Sequence, residues 1–179
     1  MGQSTDAYLF FGYCWNDEID LLHNDPDDES EWYEIIAKRE GNRNPWDLYR
    51  MSGAEAEHSR LPYAEQSAAY QAWKEEVGFE QLYAEWKAVT EEVKSRYNGI
   101  DISSHCSCEY PMPYIYIVET EHRAWRGQGV QLDMEQWEKW QHPRSFVTWN
   151  EDLARFTADL GIDLSNAEGP GWFLVINWC

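Results

Sequence analysis

The chain has 179 residues, 33 acids against 14 bases and a formal charge of −19, with aromatic residues at 16%. That length buries a real core and the aromatic content excludes disorder despite a mean hydropathy of −0.72. No stretch reaches the ~18 to 20 apolar residues of a membrane span. The acidic balance repels anionic lipid and polynucleotides, so neither is expected as a direct ligand.

From the start, MGQSTDAYLFF has no basic n-region, which predicts no signal peptide, and Asp6 breaks the myristoylation pattern. AYLFFGYCW (7–15) is short, apolar and aromatic and predicts a buried strand. NDEIDLLHNDPDDESE (16–31) then holds eight carboxylates and no Lys or Arg; the first base in the chain is Lys38. SEWYEIIAKRE (30–40) predicts a helix capped by Ser30 and ended by Gly41. Residues 42–62 read as a polar connection with a helical turn near Trp46. Tyr70, Trp73 and Val77, then Leu82, Tyr83, Trp86, Val89, Val93 and Tyr97, recur at helical spacing, broken at Gly78.

Residues 100–109 and 114–125 predict two strands around the Tyr110–Pro113 turn, and GVQLD (129–133) a short further one. MEQWEKWQ and NEDLARFTADLG predict amphipathic helices, the second capped by Asn150 and ended by Gly161, and 171–179 closes the chain as an apolar strand. Strands at both ends and in the middle, with helices in blocks between, predict an α+β fold: a largely antiparallel sheet with amphipathic helices packed on it. The expected organisation is one domain over 1–179, with the acidic segment 16–31 and the connection 42–62 as insertions.

Few motifs carry chemistry. Cys14, Cys106, Cys108 and Cys179 are too few and too oddly placed for a secreted disulfide scaffold, which predicts free thiols in a reducing cytoplasm. His105, Cys106 and Cys108 form the one metal-like cluster, but strand alternation sends His105 away from both cysteines, and a structural zinc needs four ligands. A Cys106–His105 nucleophile fails on the same alternation, and an acidic surround disfavours a thiolate. Gly127-Gln-Gly129 matches neither the dinucleotide fingerprint nor the P-loop, and no basic patch of nucleic-acid-binding size exists. No cofactor is expected.

The acid run leaves three readings: a cation site, a solvated loop, or a surface imitating a polyanion. An EF-hand loop counted from Asp25 needs Gly and Glu where Ser30 and Ile36 stand. Charge runs are ordinarily solvated loops. For the third reading, eight charges in sixteen residues lie ~3 Å apart if helical and ~7 Å apart if extended, bracketing the ~3.4 Å phosphate spacing of one DNA strand. Further Glu residues on helices 64–98 spread negative charge over a folded body, which favours this reading. The candidate partner-binding residues are therefore Asp17, Glu18, Asp20, Asp25, Asp27, Asp28, Glu29 and Glu31, with Trp15 or Trp46 as exposed anchors.

HCSCEYPMPYIYIVETEHRAWRGQ (105–128), together with AYLFFGYCWND (7–17), resembles small uncharacterised proteins of tailed bacteriophages, through an aromatic-Gly-Tyr strand, an HCSxxYPM strand-turn and a RAWRG strand exit. The resemblance covers about a quarter of the chain and brings no catalytic motif. It implies action in an infected bacterial cytoplasm as an inhibitor of host defence, of the anti-CRISPR class, whose partner is a bacterial nucleic-acid-binding protein or complex. The alternatives are a small metal-dependent enzyme or zinc-stabilised domain, and a structural or assembly protein of the virion.

Overall fold

A computed structural model describes residues 5–16, 21–22, 30–106, 111–125 and 129–178. The fold is α+β, and the chain divides into two compact units, one formed by Met1–Glu29 with Tyr97–Cys179 and the other by Ser30–Arg96.

The first unit is built on a five-stranded sheet: β1 (Thr5–Cys14), β2 (Ile100–Cys106), β3 (Pro111–Ile117), β4 (His122–Ala124) and β5 (Glu168–Trp178). The terminal strands pair antiparallel, Phe10 facing Phe173 and Tyr8 facing Val175. On its other edge β1 meets β4 at Ala7–Leu9 and β3 at Gly12–Cys14. The predicted strand 114–125 is thus two strands, separated by a 3-10 turn at Val118–Thr120. Thr120 explains how the gap is closed. Its buried hydroxyl accepts from the Phe11 N–H (2.9 Å), which lies between the two paired stretches, and donates to the Ile117 carbonyl (2.6 Å).

β2 pairs antiparallel with β3, and its last residue meets β5 in a single parallel pairing, Cys106 with Asn177. The circuit β1–β3–β2–β5–β1 therefore closes, and a largely antiparallel sheet curls into a small irregular barrel. Strand alternation sorts its two faces. Inside, Tyr8, Phe10, Cys14, Tyr114, Tyr116 and Val175 form a buried cluster with Phe173, Phe10 stacking on Tyr114 at 4.2 Å. Outside, Phe11 and Trp172 meet the helices α6 (Met134–Trp140) and α7 (Pro143–Leu160) through Trp137, Trp140, Phe146 and Trp149.

α7 starts earlier than the Asn150 cap predicts. His142 Nδ1 accepts from the Arg144 N–H (3.2 Å), Pro143 supplies a preset first turn, and Gly161 (φ 64°) ends the helix as expected. Residues 129–133 form no strand, because Asp133 turns the chain into α6 by accepting from the Glu135 N–H (2.9 Å).

The second unit is all helical: α1 (Trp32–Arg39), α2 (Pro45–Met51), α3 (Ala54–His58), α4 (Tyr63–Val77) and α5 (Phe79–Arg96). Gly78 (φ 66°) separates α4 from α5, as the periodicity predicts. The cap of α1 lies one residue beyond Ser30: the Glu31 N–H donates to Glu34 Oε2 (3.2 Å), while Ser30 is buried and its hydroxyl accepts from Lys38 Nζ (3.1 Å). Residues 42–62 carry two short helices where a connection is expected. Asn44 and Pro45 start α2, the Asn44 side chain accepting from the Trp46 N–H at 3.0 Å. Apolar residues from α2, α3, α4 and α5 then meet in a core of Ala54, Trp73 and Phe79 with Leu48, Tyr49, Tyr70 and Val77 around them.

Candidate functional site

The negative charge is divided unequally. The barrel-bearing unit has 20 acids against 5 bases, hence −15, and the helical unit 13 against 9, hence −4. In the helical unit Glu75, Glu76, Glu80, Glu85, Glu91 and Glu92 are all exposed. Several are compensated locally: Glu80 pairs with Lys74 (2.6 Å), Glu91 with Lys94 (3.0 Å), Glu92 with Arg96 (3.8 Å), and Arg96 also reaches Glu40. Such surface pairs contribute only about 0 to 1 kcal/mol each to stability, but they reduce the field α5 projects. The acid-faced appearance of helices 64–98 therefore overstates their share of the charge.

Of the candidate partner-binding residues, Asp17, Glu18, Asp20, Asp25, Asp27, Asp28 and Glu29 lie outside the described residues. Glu31 is exposed at the start of α1. The residues that flank the segment, Trp15 and Ser30, are buried. Before it, Trp15 is 1% exposed and its N–H donates to the Pro113 carbonyl (3.1 Å), while the Asn16 side chain donates to Glu168 Oε1 (2.6 Å). After it stand Ser30 and the capped start of α1. Trp15 is therefore part of the barrel unit's core and is no anchor for a partner. Trp46 remains available at 45% exposure.

The expected cluster of His105, Cys106 and Cys108 is only partly within view: Cys108 and the Cys106 side chain lie outside the described residues. The fold brings His105 a different neighbour. Cys14 on β1 and His105 on β2 both point into the barrel, with Sγ and Nε2 3.2 Å apart, and the imidazole also hydrogen-bonds the Trp15 backbone. Burial lowers the pKa of His105, and the Trp15 hydrogen bond opposes that only in part. Burial thus favours the neutral imidazole beside the thiol, which also lies within reach of the Trp15 carbonyl (3.9 Å). Close by, burial pushes the Tyr114 and Tyr116 hydroxyls up, and the Tyr114 hydroxyl donates to Glu121 Oε1 at 3.3 Å.

Cys14 Sγ and His105 Nε2 are within hydrogen-bond distance, and burial disfavours the charged imidazolium that proton transfer between them would create. Both groups are almost wholly buried, at 3% and 7% exposure, which suits a packed polar pair better than a nucleophile awaiting substrate. Among the described residues no group of three or more His, Cys, Asp or Glu side chains is placed to hold a metal ion. The Cys14–His105 pair has no sequence signature, because 91 positions separate its members and only the route β1–β3–β2 makes them neighbours.

No helix among the described residues is long and apolar enough to cross a membrane. No family model, curated protein or solved structure matches the chain.

Proposed function

We propose that this protein is an acidic, non-enzymatic inhibitor that docks on a basic, nucleic-acid-handling surface of another protein and occupies the place of the polynucleotide. The observation that carries the reading is the concentration of charge: seven carboxylates between the buried Trp15 and the buried Ser30, with Glu31 as an eighth directly after them, on a chain of net charge −19. A groove built for phosphates sheds counterions when DNA enters, and a dense set of carboxylates draws on the same release. The long-range field speeds encounter and makes it sensitive to salt.

The resemblance of 105–128 and 7–17 to tailed-bacteriophage proteins supports extending this reading to an inhibitor of host defence of the anti-CRISPR class, acting in the cytoplasm of an infected bacterium on a bacterial nucleic-acid-binding protein or complex. The test is capture of partners from bacterial lysate on immobilised protein, followed by elution with duplex DNA. The proposal expects a nucleic-acid-binding protein that leaves the resin when DNA is added and when salt is raised. Partners that resist both treatments, or that bind no nucleic acid, would contradict it.

A further inference from the structure

In the helical unit α2, α3 and the start of α4 leave between them an open groove of about 680 Å³, walled by Trp46, Tyr49, Tyr70 and Tyr63 and edged by Glu55 and His58. Its shape follows from local rules. Gly53 (φ 77°) turns α2 sharply into α3, and Pro62 leads into α4, so α2 and α4 present aromatic residues, and α3 presents Glu55 and His58, to one space. Tyr49 and Tyr70 meet edge to face at 5.2 Å, Trp46 stacks on Tyr70 at 6.1 Å, and the Tyr49 hydroxyl lies 3.0 Å from His58 Nδ1. These contacts hold the inner wall rigid. At the rim, Trp46 is 45% and Tyr63 90% exposed, an arrangement that leaves large aromatic surface in water with no gain to folding.

Three observations define what the groove accepts. Its walls carry aromatic side chains, whose ring faces attract cations. The charged side chain at its edge is a carboxylate, Glu55, whose field reaches inside: after burial, it is the second cause raising the Tyr49 hydroxyl pKa. Outside the groove's lining, the same aromatic cluster sits beside a cation of the chain itself: Lys74 Nζ, ion-paired with Glu80, stands 4.9 Å from the Phe79 ring centroid and 5.8 Å from that of Tyr70.

We propose that this groove receives the guanidinium of an arginine side chain presented by a basic protein partner. A flat guanidinium stacks on an exposed ring while its fork of N–H groups meets a carboxylate, a combination that an ammonium ion offers less well. An open groove also admits the end of a side chain rather than enclosing a free ligand. This rests on the reading that the partner is basic, and adds to it a contact that does not depend on the acidic stretch.

The test uses a short capped Gly/Ser peptide carrying one arginine, followed by the indole N–H resonance of Trp46 in the full chain. Its citrulline counterpart, equal in shape but uncharged, and tetramethylammonium serve as comparisons. The arginine peptide is expected to shift that resonance saturably and the citrulline peptide to do so far less. E55Q and Y63A, both at exposed positions, should each weaken binding about twofold to fivefold, the range expected of one exposed cation–π contact. Reversal of Asp25, Asp27, Asp28 and Glu29 to Lys should leave peptide binding in place. Equal binding of citrulline, indifference to both E55Q and Y63A, or binding of tetramethylammonium in preference to arginine would overturn the inference. Those results would leave the role of the acidic stretch standing, because that role is read from the reversal variant against the partner itself.

Discussion

Among the glycines described, Gly12 would set an added Cβ closest to a neighbouring strand, and replacing it with alanine tests the closure directly. A Cβ there would lie 1.9 Å from the Ile115 carbonyl oxygen and 2.8 Å from the Tyr116 Cα, where ordinary contact begins at 3.4 Å. Relieving the first contact requires roughly 1.5 Å of separation between β1 and β3, enough to break ladder hydrogen bonds near ~2.9 Å. Two lost backbone bonds at about 1 kcal/mol each, with a loosened Phe10–Tyr114 stack at about 1 kcal/mol, give a loss of roughly 3 kcal/mol against a total stability of roughly 5 to 15. Gly99 is the control: a Cβ there meets nothing within 4 Å, so G99A should stay within about 0.5 kcal/mol or gain slightly through the unfolded chain. Urea unfolding followed by far-UV circular dichroism and tryptophan fluorescence supplies both midpoints, with the slopes checked for separate transitions of the two units. A G12A protein as stable as the parent, or a G99A protein equally damaged, would refute the close approach of β1 to β3.

His105 makes stability depend on pH in a defined direction. Its folded pKa is lowered by burial, so below the ordinary value of ~6.5 the unfolded chain takes up a proton that the native ring resists. Stability is therefore complete above about pH 6.5 and falls as pH drops toward the folded pKa, by at most about 1.4 kcal/mol per unit for one proton. Urea midpoints across this window should show the decline, and H105N should flatten it whatever its absolute stability; an unchanged slope contradicts the assignment. Metal analysis of protein purified without chelator should find zinc well below one per chain, and EDTA should leave Tm unchanged. One zinc per chain would instead restore a metal role for His105, Cys106 and Cys108.

Much of the fold is legible in the sequence because short-range rules decide it. Short apolar, aromatic runs mark β1 and β5, 3.6-residue spacing marks α4 and α5, and glycines with positive φ stop helices at Gly78 and Gly161. The departures come from contacts between distant residues or from weaker caps. Nothing local at 118–120 announces a break, since Thr120 earns its place only by meeting Phe11 across the sheet. His142 is a less familiar cap than Asn150, and Pro143 tips the choice. For the site, the spacing of Glu91 with Lys94 and of Glu92 with Arg96 already allows pairing within one helix, whereas Lys74–Glu80 across Gly78 and Arg96–Glu40 between distant residues depend on how the helices pack. The Cys14–His105 pair and the groove at Trp46 both depend on tertiary placement, of strands in one case and of α2, α3 and α4 in the other.

The most direct test of the acidic stretch is binding of the captured partner to the parent protein and to the variant with Asp25, Asp27, Asp28 and Glu29 reversed to Lys, at low and at physiological salt. The parent should lose at least about tenfold in affinity between ~50 and ~200 mM salt. The variant should fail to bind at either concentration while unfolding at the same temperature as the parent, or a higher one. Undiminished binding by the variant, or affinity indifferent to salt, would show that the carboxylates of 16–31 only keep the protein in solution.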